Sequence, residues 1–102
     1  MKPLFIPLKT KYFEAFENGS KDTEYRPYGK RWNERTCPVG RPVVLSRGYG
    51  KQRRLEGVIE RFAVDPMPML MKDWCDVYGD DPLRQAACIQ IRLAQPQDGK
   101  QT

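Results

Sequence analysis

The stretch ENGSKDTEYRPYGKRW, Glu17 to Trp32, carries two lysines, two carboxylates, two arginines and three aromatic rings after its Asn18-Gly19 pair. Its core is Gly19-x-Lys21-x-x-Glu24-x-Arg26. Asn-Gly stops a helix in a left-handed conformation that other residues resist, so Lys21 leaves the turn as the chain enters a strand. Alternation then places Lys21, Thr23 and Tyr25 on one face and Asp22, Glu24 and Arg26 on the other. The expected product is a rim of mixed charge. The plainer alternative is a solvated strand whose ion pairs contribute little. The chain has no histidine, so any catalysis must run on lysine, carboxylate, tyrosine, hydroxyl or thiol groups.

Basic and aromatic residues continue beyond this core. From Lys21 to Arg61 there are 11 Lys/Arg against 5 Asp/Glu, in a chain whose net charge is +5. Interleaved cations and rings suit single-stranded nucleic acid, which needs charge for its backbone and flat faces for its bases. The expected binding set is Lys21, Glu24, Arg26, Tyr28, Lys30, Arg31, Trp32, Arg47, Tyr49, Lys51, Arg53 and Arg54. The alternative for Trp32 and Tyr49 is core or hairpin packing, with arginine stems lying over them.

Other chemistries are disfavoured. Cys37, Cys75 and Cys88 are far apart and form no C-x-x-C pair, so neither a metal site nor a cofactor is expected. Gly48-Tyr49-Gly50-Lys51 lacks P-loop spacing. No apolar run approaches the roughly 18 residues of a membrane span, and Pro7 interrupts Leu4 to Leu8, so a cytoplasmic protein without membrane contact is expected. Oligomeric state is left open.

The elements that must position these residues follow from pattern. Leu4 to Leu8 reads as an edge strand, since Pro7 costs no central ladder bond there. Thr10 is the expected N-cap of a helix over 11–18, with Tyr12, Phe13 and Phe16 on its apolar face. Asp22 to Arg26 reads as a strand ending at Pro27. Pro42–Arg47 and Arg53–Val64 read as a hairpin, with Gly57 at a bulge or bend. Asp65-Pro66 opens a helix over 67–78, in which Met67, Leu70, Met71, Trp74, Val77 and Tyr78 keep helical spacing on the packed face and Lys72, Asp73 and Asp76 face solvent. Asp81-Pro82 marks a turn, and AACIQIRLA is a final strand with Ala87, Ile89, Ile91 and Leu93 inward. Residues 1–95 form one α+β domain, a small and mostly antiparallel β-barrel with two to three short helices; 96–102 form a polar tail.

The aromatic helix YFEAFENGSKDTEYR, its G-x-K-x-x-E-x-R core, the following Trp32 and the strand VVLSRGYG together resemble the ASCH domain of the PUA-like superfamily, over about Pro7 to Val64. That resemblance implies a PUA-like β-barrel whose cleft binds RNA or a nucleotide. Lys21 and Arg26 would contact phosphate or base, and Glu24 would orient Arg26 or meet the ligand. Some relatives are similar to acetylcytidine amidohydrolases, in which a threonine three residues after the lysine is activated; here that position is Glu24, and Thr23 faces away. A metal-independent ribonuclease would use Lys21 and Glu24 as its catalytic residues, the lysine meeting developing phosphorane-like charge and Glu24 moving a proton. A protein-interaction module built on the basic hairpin is the third class.

Overall fold

The computed structural model describes residues 1–51 and 53–94, and the polar tail lies outside them. Leu4–Leu8 (β1) leads into helix Thr10–Asn18 (α1), then Thr23–Pro27 (β2), Pro42–Arg47 (β3) and Arg54–Asp65 (β4). A 3-10 turn over Pro68–Leu70, helix Lys72–Tyr78 (α2) and Ala86–Leu93 (β5) complete the domain. The strands form one sheet in the order β1-β3-β4-β5-β2, with β1 parallel to β3 and the other pairs antiparallel.

This corrects the expected barrel. The sheet is mixed and open, because β1 and β2 stand at its two edges and do not pair. Both edges are short, and β1 carries a proline, which has no N–H to give a closing ladder. What bridges them is a side chain: Arg26 Nη2 on β2 donates to the Pro7 carbonyl of β1 at 2.7 Å. A cavity lies at the opening beside that bridge.

The concave side is filled by Ile6, Leu8, Val43, Leu45, Ile59, Ala87, Ile89 and Ile91 beneath Phe13 and Phe16 of α1. Helix α1 begins one residue before its expected start, with Lys9 rather than Thr10 as the extended cap residue. It ends as its sequence requires, at Gly19 with φ 87°, whose N–H meets the Phe16 carbonyl. Trp32 also belongs to this core and is 6% exposed, which removes it from the expected binding rim. Asn33 organises the loop that carries it: its Nδ2 donates to Gly29 O, and its Oδ1 accepts from the Arg35 and Thr36 amides.

Two boundaries moved for steric reasons. The helix expected over 67–78 does not begin at Met67, which stands before Pro68 with φ −132° and ψ 58°, outside the helical region, and is split at Met71. Met71 is again extended, and α2 starts only at Lys72. The β-bulge lies between Ile59 and Arg61 and not at Gly57. Gly57 has a different role: a Cβ there would meet the Arg92 carbonyl oxygen at 2.7 Å and Ile91 Cγ2 at 3.0 Å. Gly57→Ala must therefore push β4 off β5, and a loss of about 1–3 kcal/mol is expected in urea denaturation.

Candidate functional site

Lys21, Glu24 and Arg26 line one cavity of about 560 Å³ at the open seam between β1 and β2. Four elements build it. Pro7, Leu8 and Lys9 form one wall, Tyr12 of α1 and the start of β2 a second, and Met71 with Trp74, Val77 and Tyr78 of α2 the roof.

Lys21 is held by its backbone, whose N–H donates to the Ala15 carbonyl at 3.1 Å across the helix stop. It precedes β2, so strand alternation does not govern its direction. Its ammonium lies 5.0 Å from the Tyr25 ring centre, 5.4 Å from Tyr12 and 5.6 Å from Phe16, within cation–π range of all three. It makes no ion pair among the described residues. Burial lowers its pKa below the usual lysine value, against the opposing pull of Glu24, Asp73 and Asp22.

Glu24 and Arg26 are already joined. Arg26 Nε donates to Glu24 Oε2 at 2.7 Å, Nη2 is engaged at Pro7, and the guanidinium lies 5.0 Å from the Trp32 ring. Two of the three guanidinium nitrogens are thus committed to the fold. Burial raises the Glu24 pKa above the ordinary carboxylate value, with the Arg26 charge and hydrogen bond pulling it back. The cavity therefore offers the unpaired ammonium of Lys21, a desolvated carboxyl, and rings on several sides.

The remaining expected residues lie elsewhere. Tyr28 donates its hydroxyl to Glu34 at 2.6 Å, Arg31 stacks over Trp32 at 5.3 Å, and Lys30 is exposed on the same loop. Arg47, Tyr49, Lys51, Arg53 and Arg54 gather at the β3–β4 hairpin and do not line the cavity. Thr23 Oγ1 donates to Asp22 at 2.8 Å, and no serine, threonine or cysteine lines the cavity among the described residues. The hydroxyl nucleophile of the amidohydrolase scheme has no counterpart there.

Sequence reasoning missed the roof. Trp74 and Tyr78, four apart, read as ordinary helix-packing residues, and Asp73 read as a solvent-side charge. In the structure the Trp74 and Tyr78 rings pack with centres 4.4 Å apart, and Asp73 lines the cavity, where its charge favours the protonated form of Lys21. Trp74 is 3% exposed, yet its Nε1 has no hydrogen-bond partner. Removing that unmatched donor should cost little: Trp74→Phe is expected within about 1 kcal/mol of the parent, whereas Trp74→Ala should lose about 3 kcal/mol, both read by urea denaturation.

The cavity lining holds no metal-ligating cluster, and among the described residues no group of three or more His, Cys, Asp or Glu could hold a metal ion. No helix of the described chain is long and apolar enough to cross a membrane. No protein-family model matches the chain, and no curated protein matches it.

Proposed function

We propose that this chain is a nucleotide- or RNA-binding domain of ASCH type, whose cleft holds one nucleotide. The observation that carries this reading is the cavity itself. It has a small-molecule volume, within the roughly 300–1,000 Å³ of such sites, and its walls combine aromatic rings with an uncommitted ammonium. A base can enter against Tyr12, Tyr25, Trp74 or Tyr78, where stacking contributes about 1–3 kcal/mol. Its edge can meet the Glu24 carboxyl, which accepts a hydrogen bond when ionised and donates one when protonated. Lys21 supplies the charge for a phosphate, with Lys9 and Lys72 at the rim. Arg26 supports this set by fixing Glu24 and holding the two sheet edges together.

Titration with each nucleoside monophosphate, followed by tryptophan fluorescence, tests the reading. Trp74 stands in the cavity wall, so Trp74→Phe identifies its share of the signal against that of Trp32. A saturable response to nucleotides that ribose 5-phosphate and inorganic phosphate do not reproduce is expected. Equal responses to all three would reduce the cleft to an anion site, and no response to any nucleotide would end the proposal.

A further inference from the structure

The hairpin cations that the cleft leaves out form a surface of their own. Phe5 of β1 and Tyr49 at the β3–β4 turn sit with ring centres 6.5 Å apart at 43°, and the Arg54 guanidinium lies 5.3 Å from the Phe5 ring centre. Tyr49 is 83% exposed. An exposed tyrosine alone needs no explanation, but one tilted against a second ring that a guanidinium covers is a cationic aromatic platform.

Charge singles out its occupant. Arg47 and Lys51 flank the turn that carries Tyr49, Arg54 covers Phe5, and no acidic residue lies between 47 and 54. Arg53 pairs with Glu17 of α1 and lies over Phe13, on the helix side of the sheet, and Glu56 shares the Arg54 face of β4; Arg47, Lys51 and Arg54 make no ion pair among the described residues. Rings and arginines also occur at protein interfaces, but rings interleaved with cations that lack carboxylate partners match the alternating bases and phosphates of a single strand.

The platform is also braced and placed. Arg47 N–H donates to Arg53 O at 3.2 Å, Ser46 Oγ donates to Gly50 O at 3.1 Å, and Gly48 N–H donates to Leu8 O at 2.8 Å. That last bond seats the turn on the end of β1, where Leu8 and the following Lys9 line the cleft. We infer that the Phe5–Tyr49–Arg54 platform is a second binding surface, which takes the nucleotides of a single strand adjoining the one held in the cleft. This extends the nucleotide reading of the cleft and rests on it for the identity of the ligand, but the two surfaces share no side chain.

Fluorescence anisotropy with labelled uridine monophosphate and a labelled oligouridylate long enough to span both surfaces separates them. The parent should bind the oligonucleotide more tightly than the monophosphate. Tyr49→Ala should weaken oligonucleotide binding about tenfold with an unchanged salt slope, while Tyr49→Phe retains it. Arg54→Ala should weaken it and lower the log–log salt slope by about 0.7, the share of one phosphate on a single strand. Neither variant should alter monophosphate binding. Oligonucleotide affinities equal to the parent's in both alanine variants, or a parent that gains nothing from length, would overturn the platform. Displacement of the oligonucleotide by polyglutamate at equal charge would also overturn it, in favour of an acidic protein partner. If the monophosphate does not bind while Tyr49→Ala still weakens the oligonucleotide, the cleft reading falls and the platform stands. Urea midpoints of each variant confirm that the fold is kept.

Discussion

Arg26→Ala should destabilise the domain by about 3–5 kcal/mol, the range seen when one partner of a buried ion pair is removed. The side chain does three things at once. It neutralises Glu24 at 2.7 Å, bridges the unpaired edges of the sheet through the Pro7 carbonyl, and covers the Trp32 ring. Loss of the guanidinium leaves the Glu24 carboxylate, 8% exposed, without its nearest cation. Burial already raises the Glu24 pKa, so Glu24 contributes stability when protonated and loses it as pH rises through its ordinary value of 4.5 into its folded value. Without Arg26 the folded value rises further. The deficit of Arg26→Ala should therefore be largest at neutral pH and shrink as acid neutralises Glu24. Arg26→Lys should fall between, since an ammonium keeps the charge but not the two-directional fork. The double replacement Glu24→Leu with Arg26→Met should recover much of the loss, because it removes the buried charge together with its partner. Urea denaturation at neutral and mildly acid pH reads all four proteins; an Arg26→Ala deficit below about 1 kcal/mol would mean that the seam is held by something else.

The same seam explains which parts of the molecule were legible in sequence. Local signals held wherever one neighbour decides the conformation: the Asn18-Gly19 stop, the alternating inward residues of β5, the β3–β4 hairpin. Closure of the sheet was different. Whether β1 meets β2 depends on strands far apart in sequence, and short edges with prolines read the same in an open sheet as in a barrel. Trp32 shows a related limit, since a ring among arginines has the same sequence signature whether it faces solvent or fills the core with the arginines over it. Trp74 and Tyr78 fail in the opposite direction. Their spacing marks an inward helix face, but only the third dimension reveals that this face roofs a cavity instead of closing it. Pro66 and Pro68 did carry a legible warning, because the residue before each proline is steered away from helix.

Lys21→Met should separate stability from binding. Burial lowers the lysine's pKa, so the folded state disfavours its charge, and that penalty is present at neutral pH. By linkage the penalty fades as pH rises from the lowered folded value to the unfolded value near 10.5, where both states have lost the proton. Methionine fills the same aromatic cage without charge, although it forgoes the cation–π contacts with Tyr25, Tyr12 and Phe16. Where desolvation outweighs those contacts, the variant is more stable than the parent at neutral pH, and its advantage narrows in alkaline solution. Nucleotide affinity should move the other way, falling about tenfold to a hundredfold through loss of a charge-assisted hydrogen bond. Paired urea and nucleotide titrations at neutral and alkaline pH measure both effects. A group that costs stability while serving binding is kept for its ligand, so a methionine variant that binds nucleotide as well as the parent would leave Lys21 as a structural ammonium and place the phosphate outside its reach.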